Sequence, residues 1–426
     1  MTWSPLLISH RREAALAAAR DIARDLIDPP SAWAPPGADD NYIHINNAGL
    51  GFGKAGIALF LGYLARTDPQ AADLADEAAR LAADAARTVA TERMAPSLFA
   101  GFCGIGWALL KLQKWDVAGI DEASLESIDQ AVLTYLEHDP WPWHLDVVNG
   151  LAGVAVYALD RLPAAPAQEA LERIVGHFEA VAEESAAGIT WFTPPSLLHE
   201  EELERGPRGY YNLGMAHGVP GHISILADLA AAGVATDRTS RLLDGAVKWL
   251  LGQTTDDANF PYVVGPKAES KPSRVAWCYG LPGISAALWK AGHAVGREEW
   301  CRTALEMTRG ALERPSEDMG VVDAAFCHGT GGIAHLLHRL YRWSGEEGMA
   351  EAARTWIDRT LEWRREGVGL GGYRSHHPNP NAELPYYDSP GMLTGAAGIG
   401  ATLTAAASEL PPEWDHMFLL GDPTTA

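Results

Sequence analysis

The stretch Arg274-Val-Ala-Trp-Cys-Tyr-Gly-Leu-Pro-Gly-Ile284 sets a cysteine two residues ahead of a G-x-x-G unit, and that unit recurs along the chain. The next copy, 49 residues on, is Ala325-Phe-Cys327-His328-Gly329-Thr-Gly-Gly332-Ile333, again with a cysteine two positions before the first glycine. Looking back gives Ala216-His217-Gly218-Val-Pro-Gly221. Further copies are Gly53-Lys-Ala-Gly56, Gly101-Phe-Cys-Gly104, Gly150-Leu-Ala-Gly153 and Gly395-Ala-Ala-Gly398, seven in all.

First glycines are separated by 48, 49, 68, 62, 49 and 66 residues. A period near 50 is a repeat signature, read before any domain is cut. The excesses predict insertions near 189–214, 256–273 and 367–389, with Thr190-Trp-Phe-Thr as the best small extended piece. Between glycine units the pattern is helical. An opening helix is expected over 10–27, followed by a Pro/Gly/Asp-rich loop over 28–40. Asp68-Pro69 reads as an N-cap with proline at N1, ahead of Leu74, Ala78, Leu81, Ala85 and Val89 at helical spacing. Leu171, Ile174, Phe178 and Val181 mark another helix over 167–185.

Each repeat therefore holds one apolar inner helix and one amphipathic outer helix. Seven such pairs bury their inner faces by closing into a ring, so the expected fold is an all-α, α/α toroid forming a single domain over residues 1–426. The last glycine unit is as apolar as the middle ones, which favours closure over an open solenoid with polar caps.

The bulk numbers agree. Apolar residues make up 47% and charged residues 21% of 426, ordinary for a globular chain. The net charge of −22 argues against a nucleic-acid binder. Four cysteines are no disulfide scaffold. The N-terminus lacks the features of a signal peptide, and no apolar run is long enough for a bilayer, so a cytoplasmic location is expected, with membrane association only through partners.

In a ring of repeats, equivalent positions converge. Cys278 and Cys327 share the slot two before the glycine; His328, His217 and Tyr279 share the next. Asp146 and Arg274 lie four and six residues upstream of theirs. Two thiolates and an imidazole suit zinc, and three protein ligands leave a fourth position for water or substrate. A single buried cysteine is ordinarily a small core residue; the coincidence of slots argues for more. Cys103, inside its glycine unit, and Cys301, on a helix, fall outside the pattern.

Trp277-Cys278-Tyr279-Gly280, Cys327-His328-Gly329 and His217-Gly218-x-x-Gly221 resemble the three signature motifs of the lanthionine synthetase C family. The resemblance covers nearly the whole chain and implies a toroid around one catalytic zinc. It implies Cys278, Cys327 and His328 as ligands and His217 as the proton donor or acceptor. It also implies Asp146 as the active-site aspartate, with Arg274 and Tyr279 lining the site. The implied activity is cyclisation of a dehydrated precursor peptide, leader plus core, by adding cysteine thiols to dehydroalanine or dehydrobutyrine. A separate dehydratase and a transporter are the implied partners, since no long dehydratase region precedes the repeats. Related proteins acting on glutathione or on other dehydrated proteins form the alternative. Asp146 can orient His217 or pair with Arg274; both remain open at this level. The fourth unit departs from the repeat by placing His222 where others have Ile or Val.

Other features read as structure. Gly51-Phe-Gly-Lys-Ala-Gly56 matches a dinucleotide fingerprint but lacks its βαβ setting. His376-His377 reads as a loop pair, His144 as a core histidine rather than a residue supporting Asp146 from behind, and Glu200 to Glu204 as a solvated face or a grip for a basic leader.

Overall fold

The computed structural model describes residues 3–27, 47–255, 258–269, 271–377 and 385–422. The loop expected over 28–40 lies outside them, as do residues 256, 257 and 270 of the second insertion and 378–384 of the third.

All seven G-x-x-G units open a helix whose N-cap is the first glycine. These helices are Lys54–Thr67, Phe102–Lys114, Leu151–Asp160, Val219–Ala231, Leu281–Val295, Thr330–Ser344 and Ala396–Ala407. The cap glycines carry no side chain to satisfy the first-turn N–H groups. The preceding loop does so instead: Leu151 N–H donates to the His144 carbonyl, Thr330 to Asp323 and Ala396 to Ser389, at 2.8–3.1 Å. This loop lies so close that a Cβ on the second glycine (Gly56, Gly153, Gly283 or Gly332) would collide with the carbonyl six residues earlier. The motif is thus a backbone packing device, and it fixes the residues just upstream of each helix.

The chain divides into two compact units. One comprises Met1–Ala95, Phe99–Ser124 and Val321–Trp414; the other comprises Pro96–Leu98, Leu125–Gly320 and Asp415–Ala426. In the first unit the inner helix Lys54–Thr67 packs on the amphipathic Leu74–Thr91, and Thr330–Ser344 on Glu347–Glu362. Ala396–Ala407, buried along its whole length, packs on the chain's opening helix Ser9–Ile27. Leu6 and Leu7 donate to the Ala406 carbonyl at 2.9 Å, and Arg12 Nε donates to Ala407 at 2.9 Å. Asp68 accepts from the Gln70 N–H at 3.1 Å, but it caps a single 3-10 turn, Pro69–Ala71, and the long helix starts at Leu74.

In the second unit Leu151–Asp160 packs on Ala165–Ala180, Val219–Ala231 on Thr236–Leu251, and Leu281–Val295 on Glu298–Leu312. The helix expected to reach residue 185 ends at Ala180. Glu183–Ser185 turns back as a hairpin with Gly188–Thr190, in register Glu183 with Thr190. Tyr211–Asn212 pairs antiparallel with Val263–Val264, joining the first insertion to the second. Thr193 and Tyr210 exchange backbone hydrogen bonds at 2.9 and 3.1 Å, so the extended piece expected around Trp191 is held at both ends. Among the described residues no helix is long and apolar enough to cross a membrane.

Candidate active site

Backbone hydrogen bonds link the position two before the first glycine from one repeat to another. In the first unit Cys327 N–H donates to Leu393 (2.8 Å), Leu393 to Gly51 (2.9 Å) and Gly51 to Phe99 (2.8 Å). In the second unit Ala216 donates to Cys278 at 3.4 Å. The two cysteines therefore occupy the same rung of the repeat, each in its own unit. Cys278 is buried and Cys327 partly so. Cys103 lies in the first turn of an inner helix, and Cys301 sits on Glu298–Leu312 where burial raises its thiol pKa.

His217, one position after Ala216, donates from Nδ1 to Asp146 Oδ2 at 2.8 Å. Asp146 is buried (4% exposed), and its other oxygen accepts the Asn149 N–H at 2.6 Å. Burial alone would push this carboxyl up; the charge and hydrogen bond of His217, with the Asn149 N–H, outweigh it and hold the pKa below the carboxylate norm. His217 mirrors this. Burial would lower its pKa, but Asp146 holds it above the ordinary 6.5. Asp146 thus pairs with His217, the first of the two partners left open by the sequence.

Arg274 Nε donates to the Tyr262 hydroxyl at 3.1 Å. The Tyr262 ring lies 5.1 Å from that of Tyr279, whose hydroxyl accepts from Asn212 Nδ2 at 2.9 Å. Burial raises the Tyr279 phenol, against the Asn212 hydrogen bond, and keeps it neutral. Asn212 Oδ1 accepts the Gly214 N–H at 2.8 Å, which fixes this amide's orientation. Tyr262 and Asn212 were missed by sequence reasoning. Asn212 shares with Arg274 the position six before the first glycine, a signal the repeat alignment contains.

A cavity of about 540 Å³ in the second unit is lined by Asp146, His217 and Asn212 beneath a wall of Trp141, Trp191 and Tyr210. His144 is not the core histidine expected. It lines the same cavity, with Nδ1 3.9 Å from Asp146 Oδ2. Glu202 also lines it, accepting from the Tyr210 hydroxyl (2.9 Å) and the His199 N–H (3.0 Å), so this member of the acidic run is no solvated face. His222 stands in the wall, 4% exposed, edge-on to Trp191 and Phe178 at ring distances of 5.0 and 5.3 Å. Burial lowers its pKa to about 4, so it is neutral.

In the first unit, His328 Nε2 lies 3.8 Å from Asp323 Oδ2. His376 ends the strand Ser375–His376, which pairs antiparallel with Tyr386–Tyr387, and His377 follows it with its N–H on the Pro385 carbonyl at 2.8 Å.

A family model described as lanthionine synthetase C-like protein matches residues 44–419. The chain belongs to this family. The nisin biosynthesis protein NisC of Lactococcus lactis subsp. lactis is 23% identical over 306 residues, 65% of this chain and 70% of that protein. A solved structure of nisin cyclase superposes with a TM-score of 0.73 at 18% identity, covering 96% of both chains. That likeness gives the fold as an α/α toroid, as the repeats predicted.

Proposed function

We propose that this chain is a zinc-dependent peptide cyclase. It adds a cysteine thiolate of a ribosomal precursor peptide to dehydroalanine or dehydrobutyrine in the same peptide, forming lanthionine and methyllanthionine rings. The observation that carries this reading is the Asp146–His217 pair at the cavity wall. Family membership and the named relatives, a nisin biosynthesis protein and a nisin cyclase, support it.

This reading assigns Cys278, Cys327 and His328 as the metal ligands, a donor set of two sulfurs and one ring nitrogen. That donor set fits zinc, and its three members leave a position for substrate. When bound, zinc holds a substrate thiol as thiolate near neutral pH. The chain's own residues account for the rest. The sulfur forms its bond to the β-carbon, the carbon–carbon double bond is consumed, and negative charge develops on the adjacent amide oxygen. Arg274 and the neutral hydroxyl of Tyr279 stabilise that oxygen. His217, protonated because Asp146 holds its Nδ1 side, delivers the proton from Nε2 to the α-carbon. The cavity's aromatic wall excludes water and accepts the extended peptide. A separate dehydratase supplies the dehydrated substrate, and cyclisation takes place in the cytoplasm before export.

Zinc content and ring formation test this together. Wild type should bind about one equivalent, and Cys278→Ala should lose it. A dehydrated precursor should lose its free thiols, by alkylation and mass, only with the zinc-loaded wild type. Protein that stays metal-free after reconstitution sinks the reading. Glutathione adducts without rings would replace it with the glutathione alternative.

A further inference from the structure

Resting on the zinc assignment above, we propose that Asp323 is the positioning residue for His328. It holds the ring with Nε2–H toward its carboxylate and Nδ1 toward the metal.

Asp323 has no exposed surface. Its Oδ1 accepts the Ala325 N–H at 3.0 Å, and its Oδ2 accepts the His376 N–H at 2.9 Å. The same Oδ2 lies 3.8 Å from His328 Nε2, about 1 Å beyond a hydrogen bond. The backbone is equally fixed, since the Asp323 carbonyl accepts from Thr330 at 3.0 Å.

The turn itself does not require a charge. Asp323 sits six residues before the first glycine of its repeat, where other repeats have His144, Asn212, Arg274 and Ser389. Asn212 makes the same turn with a neutral amide, its Oδ1 accepting an N–H two residues on. A buried carboxylate carries a heavy desolvation cost, so its presence here calls for a partner that a neutral amide would not serve. Oδ2 faces two groups that an amide nitrogen there could not serve as an acceptor: the His376 N–H already bound to it and the outer nitrogen of His328 beside it. Such a carboxylate sets the tautomer and raises the basicity of the metal-bound nitrogen. The third insertion then has a task. Its hairpin supplies the His376 N–H to Asp323, and the Tyr386 hydroxyl donates to the Val322 carbonyl at 3.0 Å, pinning the hairpin to this turn.

The test reads zinc affinity rather than turnover. Wild type, Asp323→Asn, Asp323→Ser and Cys278→Ala proteins are stripped, then titrated with zinc against a chromophoric chelator. Cobalt-loaded forms are compared by absorption. Asn and Ser both occupy the equivalent position in other repeats of this chain, so two independent replacements guard against misfolding, with helical dichroism as the check. Both folded variants should bind zinc about 10–100-fold more weakly than wild type and show displaced cobalt bands. Wild-type affinity and spectrum in a folded variant overturn the proposal. Weaker binding with unchanged cobalt bands also overturns it, since that marks general loosening rather than a reoriented ligand. Wild type that binds no zinc fails the cyclase reading itself, a different result from zinc-loaded wild type with unaffected variants.

Discussion

Asp146 is the main group holding the His217 pKa up, with Glu202 and Cys278 adding to it, and that dependence makes Asp146→Asn the sharpest single-residue test. Activity that requires protonated His217 persists while pH stays below the raised pKa and falls as pH rises through it. The amide removes the charge, so the alkaline fall should move to lower pH in a rate profile. His217→Ala should cost about 10²–10⁴-fold in kcat, the range of a positioned acid. The pair also links to stability. The His217 contribution is complete below pH 6.5 and is lost as pH rises through the raised value; that of Asp146 is present above 3.8 and is lost as pH falls through its lowered value. The pair therefore stabilises the fold most between those two ordinary pKa values.

Among the glycine-opened helices, Val219–Ala231 departs from its siblings by carrying His222 where the other six pack Ile or Val. The aromatic wall of Trp191 and Phe178 accommodates the imidazole only in its neutral form. Between pH 6.5 and about 4 the unfolded chain gains a proton here that the folded chain refuses, so stability falls as pH falls. That span is worth roughly 3 kcal/mol. His222→Ile restores the repeat's own residue, and urea melts of the variant should lose that part of the acid-side decline. An unchanged slope across the window would show that His222 does not titrate with folding.

At the scale of the molecule, the seventh inner helix is completed by the chain's other end. Ser9–Ile27 buries Ala19, Ile22 and Leu26 and packs on Ala396–Ala407, the place an outer helix fills in other repeats. Ile22 is fully buried, so Ile22→Ala should cost about 2–5 kcal/mol in thermal or denaturant unfolding. Arg24→Ala on the exposed side of the same helix should stay within about 0.5 kcal/mol. Equal effects would mean that the N-terminal helix is not part of the cooperative core.

The sequence by itself determined the repeat, the inner helices and the rungs that carry Cys278, Cys327, His217 and Tyr279. It could do so because a close backbone approach demands glycine at fixed spacing and because apolar periodicity is local. Asp146 was legible too, but not its partner, since its choice of His217 over Arg274 depends on residues 71 and 128 positions away. Tertiary structure alone decided that choice. It also set the pairing of Tyr262 with Arg274, the hairpin N–H that holds Asp323, and the joining of the first helix to the last. Apart from the Tyr262–Arg274 pair, 12 residues apart across an insertion loop, these are contacts between segments far apart in the chain, and no spacing along one strand of sequence encodes the partner across the fold.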